Sequence, residues 1–124
     1  MSRVRLAILV WSATPDRPAL LAAPFVYAAA AAALDAEVEM HFAGECVRLL
    51  VAGEGERLDC GRGETLDHFM RQAAQAGVRF LACTTAKSAR LQGNEAMVEG
   101  FSGTAGAAAF AERAIDPAWR TLVF

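Results

Sequence analysis

The chain has 124 residues, a length typical of one domain. Hydrophobic residues make up 55% of it and charged residues 21%, which excludes a chain that is disordered throughout. The formal net charge is −2, so the chain lacks the basic excess that drives nucleic-acid binding. We therefore expect a single folded domain, residues 1–124, that does not bind nucleic acid.

No segment predicts export or membrane insertion. The hydrophobic start at Val4–Trp11 is short, is interrupted by Arg5 and lacks a small-residue cleavage site after it. The longest uncharged apolar stretch, Pro18–Leu34, is at the lower limit for a membrane span, and it is mostly alanine with Pro24 inside. We expect a cytoplasmic protein without membrane contact, whose thiols are kept reduced.

The first elements along the chain are a strand and a helix. Arg3–Trp11 is a nearly continuous apolar run that ends in a turn sequence, which is typical of a parallel strand buried on both faces. Pro18–Asp35 is rich in alanine, the best helix former, and Asp16 is in position to cap this helix. Pro24 should kink the helix or mark its true start.

A second strand and two more helices follow. Glu37–Ala43 alternates and predicts a strand, and Gly44–Leu50 predicts a short helix. Ala52–Gly63 holds four glycines among charges and indicates a surface loop. Apolar residues at spacings of three and four predict a helix over Glu64–Ala76, with Gly77 as its C-terminal cap.

The last third continues the alternation of strands and helices. Val78–Ala82 predicts a third strand, after which a helix or turn extends to Gly93. An irregular stretch around Gly100–Gly103 precedes a helix from about Thr104 to Ala114 and a final strand, Arg120–Phe124. This order specifies an α/β fold with a mostly parallel sheet that is covered by helices on both faces.

Ligands of open parallel sheets bind outside the carboxyl ends of the strands, so the residues after each predicted strand are site candidates. They are Ser12, Gly44, Glu45, Cys46, Cys83, Thr84 and Thr85. Two of the three cysteines therefore fall at strand ends. The third, Cys60, lies in the glycine-rich loop, where it is either oxidisable or incidental.

Cys83 is the sharpest candidate for a reactive residue. It stands where a buried strand leads into a predicted helix, whose free backbone amides and partial positive charge favour a thiolate. The hydroxyls of Thr84, Thr85 and Ser88 add hydrogen-bond donors, and Lys87 adds a positive charge if it folds back. The alternative is that Cys83 is a small buried apolar residue that ends a core strand.

The same alternative applies more strongly to Cys46. If the strands before Cys46 and Cys83 flank the first strand, their ends lie about 10 Å apart, whereas a disulfide needs Cα atoms within about 7 Å. A resting disulfide between them is therefore disfavoured.

The familiar cofactor and metal motifs are missing. No glycine pattern for a dinucleotide follows the first strand, and no glycine loop precedes Lys87 as in a Walker motif. Gly100–Gly106 resembles a phosphate-cradling loop, although a tight turn explains it better. His41 and His68 have no second ligand at zinc spacing, and Ser12 lacks the context of a hydrolase nucleophile. We expect neither a cofactor nor a metal.

At Cys83 the sequence resembles the DsrE/DsrF-like family of small sulfur-transfer proteins. The similarity spans nearly the whole chain and depends on the order of several loose motifs. These are Phe25-Val26 leading through the alanine helix to Glu37-Val38, Phe42, Leu49-Leu50, Phe80-Leu81-Ala82-Cys83, Val98-Glu99-Gly100 and Leu122-Val123-Phe124. The chain differs from the family pattern at Thr104-Ala105, where relatives carry paired glycines, and in the residues after Cys83.

The resemblance implies a three-layer domain of flavodoxin-like topology in which Cys83 accepts sulfane sulfur as a persulfide and passes it to a partner. It also implies a homotrimer or hexamer, with sulfur donor and acceptor proteins or small sulfane-sulfur compounds as partners. An apolar chain of this size with exposed alanine-rich helices predicts a homo-oligomer independently. Two alternatives remain. One is a non-catalytic oligomeric module that binds a small ligand or a protein, and the other is a redox sensor in which Cys46 or Cys60 traps oxidised Cys83.

Overall fold

The computed structural model describes residues 3–61 and 63–124, and in them strands alternate with helices. The strands are β1 (Arg5–Val10), β2 (Glu37–Phe42), β3 (Arg79–Ala82), β4 (Phe101–Thr104) and β5 (Trp119–Val123). The α-helices are α1 (Pro18–Leu21), α2 (Ala23–Ala33), α3 (Leu66–Gln75), α4 (Thr84–Arg90) and α5 (Ala107–Ile115). Short 3-10 helices cover Gly44–Leu50 and Gly55–Arg57. None of these helices is long and apolar enough to cross a membrane.

The five strands form one parallel sheet in the order β4-β3-β2-β1-β5. Three successive crossovers carry the chain from β1 to β4, and because crossovers are right-handed their helices lie on one face. The last crossover returns past β1 to β5, which places α5 on the opposite face. The predicted α/β class with helices on both faces is confirmed. In this sheet β1 lies between β2 and β5.

The apolar core lies between the sheet and the helices α2 and α3, which cover one face of the sheet. Three fully buried rings, those of Phe25, Phe42 and Phe80, pack with their centroids 5.7–5.9 Å apart. Aromatic pairs at this distance contribute about 0.5–1.5 kcal/mol each beyond burial. Both β2 and β3 are therefore anchored to α2 by aromatic contacts.

The opposite face of β2 is polar. Alternation along the strand places Glu39 and His41 on the face that α5 covers, and both are buried. Glu39 accepts hydrogen bonds from His41, from Arg79 of β3 and from Arg113 of α5. The ring of Phe110 packs edge-on against His41. These contacts attach α5, which has no buried residue, to the sheet.

The long alanine helix is broken where proline predicts it. It divides at Ala22 into α1 and α2, and Pro24 lies in the first turn of α2, so it marks the start of the longer helix. The predicted Asp16 cap is wrong, because Arg17 takes the N-cap position of α1 without a side-chain hydrogen bond. The predicted short helix after Gly44 is present as a 3-10 helix, which has fewer residues per turn than an α-helix.

Two segments that the sequence predicted to be irregular contain regular secondary structure. The stretch around Gly100–Gly103 belongs largely to β4, whose flanks bond to β3 through Phe80 N to Gly100 O and Ala105 N to Ala82 O, both 2.9 Å. Gly100 has φ +93°, and a Cβ there would lie 2.9 Å from the Ala74 Cβ and 3.1 Å from the Phe80 ring. A glycine is thus required for β4 to approach the core.

The predicted surface loop at Ala52–Gly63 is partly folded into the body of the protein. It contains the 3-10 helix Gly55–Arg57, and Gly55 is buried against the backbone of Asp67. Arg62, which the predicted loop includes, lies outside the described residues.

Candidate functional site

The sheet has a crevice between the carboxyl ends of β3 and β4. The chain leaving β3 enters α4, on the face of the first three crossovers, whereas the chain leaving β4 enters α5 on the other face. Where the connections of two neighbouring strands diverge in this way, open α/β sheets bind their ligands. Cys83 follows β3 directly, so it stands at this crevice.

Cys83 occupies the N-cap position of α4 with extended backbone angles, φ −58° and ψ 126°. Its amide donates to Phe42 O of the neighbouring strand at 2.8 Å, and its carbonyl accepts from Lys87 N at 2.8 Å. These bonds fix the cysteine backbone between the sheet and the helix. The residue is partly exposed, with its side chain against the edge of the core.

A cavity of about 330 Å³ opens beside α4, and Thr84, the residue after Cys83, lines it. Its walls are Thr84, Lys87, Ser88, Leu91, Gln92, Gly93 and Thr104. The first of these residues come from one face of α4, and Thr104 closes the cavity from the end of β4. Of the predicted site residues, the structure places Thr84 and Lys87 in this cavity, while Thr85 is exposed on α4 and does not line it.

Glu45 does not line this cavity, and an ion pair connects it to α4. It binds Arg90 at the end of α4 and lies 3.9 Å from Arg48. The pair ties the 3-10 helix after β2 to α4. Glu45 itself lines a separate cavity of about 240 Å³ that it shares with Ala13 and Leu49.

Cys46 is enclosed in the core. It is 1% exposed, and its Sγ donates to the carbonyl of Ala13 at 3.3 Å. Burial raises the pKa of the Cys46 thiol, and the nearby Glu45 carboxylate adds to the increase. At neutral pH Cys46 is therefore a neutral hydrogen-bond donor.

Ser12 lies at the end of β1, which is two strands away from β3. Ser12 is exposed, and its amide donates a hydrogen bond to Phe124 O at 3.3 Å. It lines a third cavity, of about 270 Å³, together with Leu20 and Ala23. The structure thus distributes the predicted strand-end residues over three cavities.

All three cysteines are free thiols, in agreement with the prediction of no resting disulfide. The geometric premise of that prediction is wrong, because β2 and β3 are direct neighbours and do not flank β1. Cys60 is partly exposed, and burial together with the charge of Asp59 raises the pKa of its thiol.

Thr104 is a cavity residue that sequence reasoning missed. The sequence predicts the start of a helix at Thr104, because β4 has too few apolar residues to indicate a strand. A topological signal was available, since a strand at that position would place Thr104 beside the residues after β3. Among the described residues, no group of three or more His, Cys, Asp or Glu side chains is placed to hold a metal ion.

Comparisons with known proteins agree with this architecture. The YchN protein of E. coli superimposes with a TM-score of 0.71 at 14% identity over the full length of both chains. MTH1491 from Methanobacterium thermoautotrophicum, a protein of unknown function, gives 0.64 at 17% identity, covering 97% of this chain and 98% of its own. No curated protein matches the chain in sequence. The sequence model of the DsrE/DsrF-like family matches residues 6–124, and the chain therefore belongs to the DsrE/DsrF-like family.

Proposed function

We propose that this protein is a cytoplasmic sulfur carrier, or a sulfurtransferase of low turnover, in which Cys83 accepts sulfane sulfur and relays it as a persulfide. The observation that carries the proposal is the position of Cys83. It is a partly exposed cysteine at the switch-point crevice of a DsrE/DsrF-like fold, and the residue that follows it, Thr84, lines a polar cavity. The family is associated with sulfur relay, and the sequence resemblance implies that Cys83 corresponds to its sulfur-accepting cysteine.

The chemistry requires a thiolate at Cys83. The thiolate attacks the outer sulfur of a persulfide, polysulfide or thiosulfonate donor, the donor's own sulfur–sulfur bond breaks, and Cys83 holds the transferred sulfur as Cys–S–SH. An acceptor thiolate then attacks that outer sulfur and releases the Cys83 thiolate. The amides of Thr84 and Thr85 precede the first intrahelical bond of α4 and are free to stabilise the anion.

The other two cysteines are less suited to the same chemistry. Burial raises the pKa values of Cys46 and Cys60, which lowers the thiolate fraction of both. Cys46 could form a disulfide with an oxidised Cys83 only if the 3-10 helix that contains Cys46 moved. The redox-sensor alternative therefore has weaker support from the geometry.

The deciding experiment is intact-mass analysis of the reduced protein after brief exposure to polysulfide. We expect the wild type to gain about 32 Da per sulfur, reversibly with reductant, and Cys83→Ser to gain none. Cys60→Ser is the matched control, because it removes a second partly exposed thiol and should leave the uptake intact. Equal uptake by wild type and Cys83→Ser would end the proposal.

A binding module without sulfur chemistry is the second candidate. It is favoured by the cavity, whose walls begin at Thr84 and do not include Cys83. In this case Cys83 should resist alkylation in the folded protein, while a small ligand still binds in the cavity of the Cys83→Ser variant. Rapid alkylation of Cys83 combined with Cys83-dependent sulfur uptake would exclude this candidate.

We further propose that the protein is a homo-oligomer, a trimer or a hexamer. Large apolar side chains are exposed along the β5 edge, on α2 and at the end of α5. They include Trp11, Val26, Tyr27, Leu34, Ile115, Leu122 and Val123. Exposed apolar surface of this extent is typical of a protein interface. Sedimentation at micromolar concentration should give a multiple of the 13.2 kDa chain, and a monomer alone would contradict the proposal.

A further inference from the structure

The cavity of about 330 Å³ next to α4 is lined by one basic residue and several hydroxyl residues. Lys87 is the single lysine of the chain, and it is also the single ionisable residue in the cavity wall. Three hydroxyl groups share the wall, those of Thr84, Ser88 and Thr104. Within residues 3–61 and 63–124 these hydroxyls make no side-chain hydrogen bond to another protein group. One lysine and three hydroxyl residues therefore line the same cavity.

The charge of Lys87 is available to a ligand. The nearby Glu95 carboxylate is engaged by the backbone amides of Gln92 and Gly93, both at 2.9 Å. These bonds, and to a lesser degree the charge of Lys87, hold the pKa of Glu95 below its ordinary value. In the described part of the chain, no carboxylate lies within 4 Å of the Lys87 ammonium group. Arg90, the other cation at this end of α4, is paired with Glu45.

The size of the cavity limits what it can hold. A volume of about 330 Å³ is at the lower end of the range for small-molecule sites, which begins near 300 Å³. It suits a small anion, whereas the folded surface of a donor protein does not fit inside it. Hydroxyl donors and a point-charge ammonium are ordinary ligands for tetrahedral oxyanions.

We propose that this cavity binds a small anionic sulfur donor, a thiosulfate or organic thiosulfonate, by its oxidised sulfur group. This inference rests on the proposed function of Cys83. The oxygens contact Lys87 and the three hydroxyls, and the outer sulfur is directed towards Cys83, the residue that precedes Thr84 of the cavity wall. The substrate is thus a free small molecule, and the hydroxyls together with Lys87 determine the specificity.

The transfer step balances without an oxidant or a reductant. With thiosulfate, the Cys83 thiolate forms a bond to the outer sulfur, the sulfur–sulfur bond of the donor breaks, and sulfite leaves with the electron pair. Cys83 then carries the persulfide anion, and the total charge is unchanged. An organic thiosulfonate reacts in the same way and releases a sulfinate.

Binding can be tested separately from sulfur transfer. Because Lys87 is the only lysine, the rate at which an amine-acylating reagent modifies it can be followed by peptide mass spectrometry. Sulfate, which has the same shape and charge as thiosulfate but no sulfur to transfer, should slow the acylation of Lys87 several-fold relative to chloride at equal ionic strength. An unchanged rate with both sulfate and thiosulfate would overturn the inference.

Transfer is tested with Lys87→Met and Lys87→Arg. We expect Lys87→Met to need about tenfold more thiosulfate for half-maximal persulfide formation, and Lys87→Arg to recover most of the loss, because it keeps the charge. Arg57→Met is the matched control, since it removes one exposed positive charge away from the cavity. An equal effect of Arg57→Met and Lys87→Met would refute a specific anion site.

Polysulfide loading separates this inference from the proposed function. If polysulfide loads Cys83 but thiosulfate does not, the carrier function stands and the anion site is wrong. If neither donor loads Cys83, the proposed function fails as well.

Discussion

The buried carboxylate Glu39 offers a direct test of how the second face of the sheet is held together. It is 1% exposed and accepts hydrogen bonds from His41 at 2.8 Å, Arg113 at 2.9 Å and Arg79 at 3.1 Å. Replacing it with glutamine in Glu39→Gln removes the negative charge at nearly constant volume. Two arginines and a histidine then converge on a neutral amide.

The expected cost follows from the exposure of the partners. Removing one member of a buried ion pair costs about 3–5 kcal/mol, because the other charge is left unpaired. The side chains of Arg79 and Arg113 are partly exposed and can regain water, so we expect Glu39→Gln to lose about 2–4 kcal/mol of unfolding free energy. Urea unfolding at fixed protein concentration measures this loss.

Glu37 supplies a matched control two residues earlier on the same strand. It pairs with Arg5 at 3.4 Å and with Arg79 at 3.6 Å, but its side chain is 38% exposed. Exposed pairs contribute about 0–1 kcal/mol, so Glu37→Gln should cost much less than Glu39→Gln. If both variants lose the same stability, the buried charge does not hold α5 to the sheet.

The pH dependence gives an independent check. Burial alone would raise the pKa of Glu39, but hydrogen bonds from His41 and Arg113 and their positive charge outweigh it and hold the pKa below the ordinary value of 4.5. The unfolded state therefore binds the proton first as the pH falls, so the ionised carboxylate stabilises the fold fully above about pH 4.5. The difference between wild type and Glu39→Gln should shrink as the pH falls through the folded-state pKa. A constant difference from pH 7 to pH 3 would refute this assignment.

Two further predictions test the site and the missed strand. Alkylation at pH 7.5 should modify Cys83 first, then Cys60, and Cys46 only on unfolding. The reason is that burial raises the pKa of the Cys46 and Cys60 thiols. Early modification of Cys46, followed by peptide mass spectrometry, would contradict the geometry. Gly100→Ala should cost about 2 kcal/mol more than Gly53→Ala, since both positions have positive φ but only a Cβ at Gly100 would collide with the core. Equal urea midpoints for these two variants would show that β4 can move away from the core.

The elements that periodicity predicts well are those in which local preference and burial agree. The apolar run that became β1 and the amphipathic helix that became α3 are of this kind. Pro24 also acts locally, so its effect on α2 could be predicted from sequence. The strand order could not, because it depends on which edge of the sheet the last crossover reaches, and no local pattern encodes that choice.

The candidate site was predictable where it depends on strand ends. Cys83, Thr84 and Lys87 follow the boundary of β3, and an error of one or two residues in that boundary leaves them at the carboxyl edge. The separation of Ser12 and Glu45 into other cavities was not predictable, because it follows from the lateral order of the strands.

The strand that sequence analysis missed is the one that completes the crevice. β4 is a short edge strand that contains glycine and has only Phe101 as a large apolar residue, so its own preference for strand structure is weak. Its place depends on the close approach at Gly100, which lets its backbone bond to β3. Beyond β4, a Cβ at Gly106 would make an ordinary contact, at 4.0 Å, with the Thr84 hydroxyl. Weak local signals are expected where a backbone is shaped to leave room for a ligand, because the residues that create the space cannot also fill it. Gly100 lets β4 lie close to the core, and this position of the strand brings Thr104 into the same cavity wall as Thr84.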